Sequence, residues 1–166
     1  TDRDSHEGRS IGPALAELVK NDLVPFEAAI ASKKSGIMVG HTEIPGVTEG
    51  LPSSLSPAAI EGLLRGELKF NGLVVTDSLN MRAVSDRWST EEAVVMALKA
   101  GADLMILGTL ADVGPAFASV DQALYEGHLA VDRLNDAAVN VLRAKSVNSC
   151  TLVGRVRGVM NTVHDW

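Results

Sequence analysis

Leu73-Val74-Val75-Thr76-Asp77 is the stretch on which the fold turns. An unbroken apolar run rich in β-branched residues, opened by Asn71-Gly72, reads as a strand buried on both faces, as in a parallel sheet covered by helices. Two similar runs flank it. Ile37-Met38-Val39-Gly40 follows Gly36 and ends at His41, and Asp103-Leu104-Met105-Ile106-Leu107 ends in Gly108-Thr109. The three runs begin near 37, 73 and 103. Those intervals match one βα unit each and call for right-handed crossovers and a parallel sheet.

The intervening segments carry helical patterns. Ser56-Pro57 supplies a cap and a first-turn proline, and Ile60, Leu63, Leu64 and Leu68 then form one apolar face that ends before Asn71-Gly72. Thr90-Glu91-Glu92 opens a helix over 93–100, closed by Gly101 in the position favoured for a left-handed cap. Further helices are predicted over 113–125 and 131–145, the latter with Leu134, Ala138, Val141 and Leu142 on one face. Upstream, 13–20 and 25–32 read as two short helices separated by Asn21-Asp22, and 42–52 reads as a loop. A doubly wound sheet and a barrel both satisfy this rhythm. A whole (β/α)8 barrel takes about 250 residues, so a chain of 166 residues holds only part of one. Residues 146–166 form a tail without a clear pattern, which leaves 1–145 as the folded domain.

With 21 acidic against 15 basic side chains, the electrostatics exclude a general attraction for nucleic acid or anionic lipid and favour a small or neutral substrate. The 46% hydrophobic content suits one globular domain. The single Cys150 forms no internal disulfide, and no stretch reaches the roughly 18 apolar residues of a membrane span. The polar opening from Thr1 lacks an initiator Met and the features of a signal peptide, so the true N-terminus is expected elsewhere and the compartment stays open.

Asp77 stands at the carboxyl end of a strand, where α/β folds bind ligands; the plainer alternative is that it caps the next helix. Asp4-Ser5-His6 places a carboxylate two residues from an imidazole, a spacing that can orient and charge the ring as an acid/base, or simply mark a solvated loop. His41 ends its strand and so could point into a site, although an end-of-strand histidine bonded to backbone is the plainer reading; His128 and His164 read as surface residues. The acids and histidines are spread over separate loops without metal-ligand spacing, and no glycine-rich loop has a phosphate- or dinucleotide-binding pattern. No cofactor is expected.

The run from Phe70 to Met81 closely resembles the nucleophile segment of glycoside hydrolase family 3, whose pattern reads G-F-x-G-(apolar)3-T-D-(A/S)-L-x-M. Thr1 to His6 is similar to the end of the signature of that family's β-N-acetylglucosaminidase branch, which closes on D-(S/T)-H. Asp22-Leu23-Val24-Pro25-Phe26, Met38-Val39-Gly40-His41 and Leu51 to Ser56 occur in the order the family shows. The resemblance covers about residues 1 to 145. It implies a partial (β/α)8 TIM barrel made of roughly the last three to four βα units, with Asp77 as nucleophile, His6 as general acid/base and Asp4 as the partner of His6. It also implies a small carbohydrate substrate ending in β-linked N-acetylglucosamine, typically a peptidoglycan fragment, with phosphorolysis as a variant of hydrolysis.

An unclosed barrel exposes sheet edges and an inner apolar layer, so the isolated chain is expected to self-associate and to lack activity. Two rival readings stand beside this one. A receiver domain also places an Asp after a buried parallel strand, but the third strand here ends Gly108-Thr109-Leu110 without the Lys it requires. A non-catalytic fragment with a vestigial sugar site is the other.

Overall fold

The computed structural model describes residues 1–32 and 36–147. In chain order the elements are β1 (Ser10–Ile11), α1 (Leu15–Lys20), α2 (Val24–Ala31), β2 (Gly36–Val39), β3 (Thr42–Glu43), a wide helix (Ala58–Glu67), β4 (Leu73–Ser78), α3 (Arg82–Ser85), α4 (Thr90–Ala100), β5 (Leu104–Ile106), α5 (Val113–Tyr125) and α6 (Val131–Ala144). The strands β2, β4 and β5 form a parallel sheet with β4 in the middle, and β1 pairs in parallel with β3. The chain is therefore α/β with parallel strands, as its periodicity predicts.

Alternation along β4 divides the sheet into two faces. Val74 and Thr76 are buried on the helical side. There Ile60 and Leu64 of the wide helix, Ala97 and Leu98 of α4, Ala116 and Ala123 of α5 and Ala137 of α6 close one core. On the other face Met38, Val75 and Leu104 stand in one row, since Val75 pairs in register with both neighbours. Met38 is 57% exposed, Leu104 43% and Ile106 41%. The expectation that 37–40 is a strand buried on both faces is thus corrected: this side of the sheet is left largely open at Met38, Leu104 and Ile106.

Local chemistry sets the element ends. Ser89 and Glu92 form a reciprocal capping box at the start of α4, and Gly101 ends it at φ 108. A side chain at Gly101 would run into Glu61 and Ile60. The wide helix closes with the Leu68 amide donating to the Leu63 carbonyl at 2.9 Å, a bond that spans five residues. Lys69 then turns the chain at φ 57, in the left-handed region, at the position where the family pattern has glycine. The 42–52 segment is not all loop, because Thr42 and Glu43 pair with Ser10 and Ile11, more than thirty residues away. Local pattern carries no signal for that pairing. The tail beyond Val147, with Cys150 and His164, lies outside the described residues.

At the amino ends of β4 and β5 the Asp103 carboxylate is fully enclosed. One oxygen accepts from Arg133 at 2.6 Å and Asn140 at 3.1 Å, and the other from Arg65 and the Val74 amide, both at 2.9 Å. Asp103→Ala leaves two largely buried guanidinium groups without their counter-charge. It is expected to cost about 3–5 kcal/mol in chemical denaturation of the protein; a loss below about 1 kcal/mol would show that the cluster is not an anchor. Lys69→Gly relieves left-handed strain and is expected to raise stability by up to about 1 kcal/mol in the same assay. A fall in stability would mean that the lysine side chain contributes more than the strain takes away.

Candidate active site

Asp77 lies near the carboxyl end of β4, on the face that carries Val75, and it is only partly buried. Its Oδ1 accepts from the Ser78 amide at 2.7 Å, which fixes the carboxylate at the strand end. Thus Asp77 belongs to the strand itself rather than to a following helix, and its partner is the adjacent amide rather than a helix amino terminus.

The segment 1–11 folds back as a closed loop. The Asp2 amide donates to the Ile11 carbonyl, the Ile11 amide to Asp2 Oδ1, and Ser10 Oγ to the Arg3 carbonyl. Within this loop Asp4 Oδ1 accepts both from the His6 amide at 2.9 Å and from His6 Nδ1 at 2.8 Å. A carboxylate only accepts, so Nδ1 carries hydrogen and Nε2 is the nitrogen left for proton exchange. The Ala83 amide donates to the Ser5 carbonyl at 3.1 Å and ties the loop to α3, just beyond Asp77. Arg9 anchors its far end through a fork on buried Glu43, at 2.7 and 2.6 Å, where Arg87 also donates at 3.1 Å.

The electrostatics follow from these contacts. The hydrogen bond His6 donates to Asp4, then the charge of Asp4, hold the ring above its ordinary pKa, opposed by desolvation and helped by the charge of Asp77. The His6 amide and ring together hold Asp4 below the usual carboxylate range. His6 thus feels the charge of Asp77, 71 residues further along the chain, in addition to that of its near neighbour Asp4.

His41 differs from His6 in every respect. It is 1% exposed, its Nδ1 lies 2.7 Å from Ser54 Oγ and its Nε2 lies 2.9 Å from the Ser78 carbonyl. Burial lowers its pKa despite the Ser78 bond and the Asp77 charge, with the His6 charge pushing the same way as burial. The expected backbone bond is present; the serine partner is a contact that no spacing in the sequence announces. Asn80 is another residue the sequence leaves silent: its Oδ1 accepts from the Gly108 amide and its Nδ2 donates to Asp112 at 3.0 Å, joining the loops that follow β4 and β5. His128 is exposed beside Glu126, as expected of a surface residue. Among the described residues no three His, Cys, Asp or Glu side chains gather as a metal site, and no helix is long and apolar enough to cross a membrane.

A carboxylate at a strand end, within the field of an imidazole paired to a second carboxylate, offers a nucleophile and an acid/base of the kind glycoside cleavage uses. The profile of the glycosyl hydrolase family 3 N terminal domain matches residues 1–144, and the chain belongs to that family. It is 39% identical to the beta-hexosaminidase LpqI of Mycobacterium tuberculosis over 151 residues, covering 87% of this chain and 39% of that protein. A beta-hexosaminidase of Stenotrophomonas maltophilia is 30% identical over 159 residues, or 95% of this chain and 41% of the relative. Among solved structures, the family 3 beta-N-acetylglucosaminidase of Paenibacillus sp. str. FPU-7 superposes with a TM-score of 0.83 at 35% identity, over 87% of this chain and 28% of that one. The chain thus spans about two fifths of the length of the curated relatives it matches.

Removing the Asp4 charge has a direct readout at His6. Because Asp4 raises the ring's pKa, the protonated ring persists to higher pH than that of a free histidine. In Asp4→Asn the NMR titration of His6 is expected to move to lower pH, toward the ordinary value near 6.5. An unchanged midpoint would show that the Asp4–His6 pair does not govern the ring.

Proposed function

We propose that the full-length protein is a retaining β-N-acetylglucosaminidase that removes terminal β-linked N-acetylglucosamine, with peptidoglycan fragments as the natural source. Residues 1–145 supply the carboxyl-terminal half of its (β/α)8 barrel, roughly the last three to four βα units. The observation that carries the reading is the convergence of Asp77, at the end of the central parallel strand, with a His6 ring charged by Asp4.

In the first step an Asp77 carboxylate oxygen bonds to the anomeric carbon while protonated His6 gives its proton to the departing glycosidic oxygen. In the second, water attacks the glycosyl–Asp77 ester, neutral His6 takes the water proton, and the carboxylate is regenerated. Asp4 orients the ring and stabilises its charged form. Most retaining enzymes use a carboxyl group in the role that falls to His6 in this protein. A neutral imidazole repels an incoming anion less than a carboxylate does, so phosphate could replace water in the second step. The names of the beta-hexosaminidase relatives support the sugar specificity.

The assay is turnover of an aryl β-N-acetylglucosaminide by the full-length protein. Asp77→Asn is expected to lose at least about 1000-fold in kcat/KM, and the first product is expected as the β-anomer by NMR. Retention of most activity in that variant, or an inverted product, overturns the proposal. Release of the 1-phosphate when phosphate is added would identify a phosphorylase on the same scaffold. The 166-residue chain by itself is expected to self-associate and to show no turnover, since the row of Met38, Val75 and Leu104 leaves apolar surface open and His6 stands exposed.

A further inference from the structure

The peptide between Ser78 and Leu79, one residue beyond Asp77, is held from both sides. The Leu79 amide donates across to the Ile106 carbonyl of β5 at 3.0 Å. From the β2 side the Ser78 carbonyl accepts from His41 Nε2 at 2.9 Å, and from the Met81 amide at 3.0 Å. A carbonyl only accepts, so Nε2 carries the hydrogen, and in the neutral ring Nδ1 must accept. The donor to it is the hydroxyl of Ser54, which is fully buried and whose own amide is bonded to the Gly40 carbonyl at 3.1 Å. The preceding peptide donates the Ser78 amide to Asp77 Oδ1 at 2.7 Å. His41 thus reaches the carboxylate through a single residue, Ser78, and has no opening to solvent.

We infer that Ser54 and His41 form a buried strut whose function is to set the position of the Asp77 carboxylate, so that His41 is a positioning residue for glycosyl transfer. The inference rests on Asp77 being the nucleophile. Three features favour a positioning role over simple packing. The ring commits both nitrogens to fixed partners, where an apolar side chain would fill the same space without orientation. Its main-chain partner belongs to the residue directly after Asp77 rather than to the body of the strand. The low pKa that burial imposes keeps the ring neutral, with its proton on Nε2, near neutral pH.

The test uses the full-length protein and a fluorinated N-acetylglucosaminyl donor whose glycosyl–enzyme breaks down slowly. It reads the rate at which the sugar mass is added to the peptide containing Asp77. In His41→Phe, which fills the volume without a donor, labelling is expected to slow about 100-fold, while KM for an aryl substrate and the melting temperature change little. His41→Gln can still donate to the Ser78 carbonyl and is expected to recover most of the rate. Ser54→Ala, the milder change, is expected to slow labelling about tenfold, and it carries the comparison if His41→Phe does not fold. Wild-type labelling rates in folded His41→Phe or in Ser54→Ala, or a His41→Gln variant no faster than His41→Phe, overturn the strut. Label on a residue other than Asp77 in the wild type is a separate outcome, which overturns the nucleophile assignment instead.

Discussion

The Asp103 carboxylate is the interaction on which the rest of the molecule depends. It sits with no exposure between the first residues of β4 and β5, where an unpaired charge would be untenable. Its four acceptor contacts go to the wide helix, β4 and two positions of α6. Three separate elements of the fold are therefore joined through a single side chain. The Asp103 amide also donates to the Val74 carbonyl at 2.8 Å, so the start of β5 is registered against β4 by backbone and side chain together. Register in a parallel sheet decides which side chains share a row. In this sheet it places Met38, Val75 and Leu104 side by side and leaves Asp77 at the opposite end of β4.

That opposite end is fixed by different chemistry. Asp77 stands three residues beyond Val74, roughly 10 Å along the strand and out of direct reach of the Asp103 carboxylate. Control at this end falls to hydrogen bonds around the Ser78 peptide and to the tie between the Ser5 carbonyl and the Ala83 amide. Two histidines meet there with opposite tuning. His6 is exposed and its pKa is raised by the carboxylate of Asp4; His41 is buried, and burial lowers its pKa. Environment alone separates them: one residue type takes opposite shifts according to whether a carboxylate or burial dominates around it.

The parts of this arrangement that the sequence announces are those that local chemistry controls. The run through Thr76 to Asp77, the cap at Gly101 and the helix over 113–125 each carry a period or a terminal residue that only one local structure accommodates. The Asp4–His6 pair is visible because it closes over two residues. What is not visible joins distant positions. Glu43 takes its two arginines from 34 residues upstream and 44 downstream, Asp103 takes its own from about 30 or more residues away on either side, and β3 pairs with β1 across a helical pair. No period encodes such a meeting, because the residues involved are charged or short and look like surface in a one-dimensional pattern. The exposure of Met38 is hidden for the complementary reason: an apolar run reads the same whether or not its second face is covered.

That open face and the exposed dyad belong together. Asp77 alternates onto the same side of β4 as Val75, so whatever covers the row of Met38, Val75 and Leu104 also approaches the carboxylate. His6, by contrast, stands in water, where the field of Asp77 reaches it only in screened form. Glycosyl transfer gains most when charges face one another away from solvent, since each interaction strengthens as the local dielectric falls. One added layer of structure would thus do two things at once: bury an apolar row now left to water, and raise the coupling between Asp77 and His6. Apolar burial and the pairing of these charges are thus coupled through the geometry of one strand, because Val75 and Asp77 alternate onto the same face.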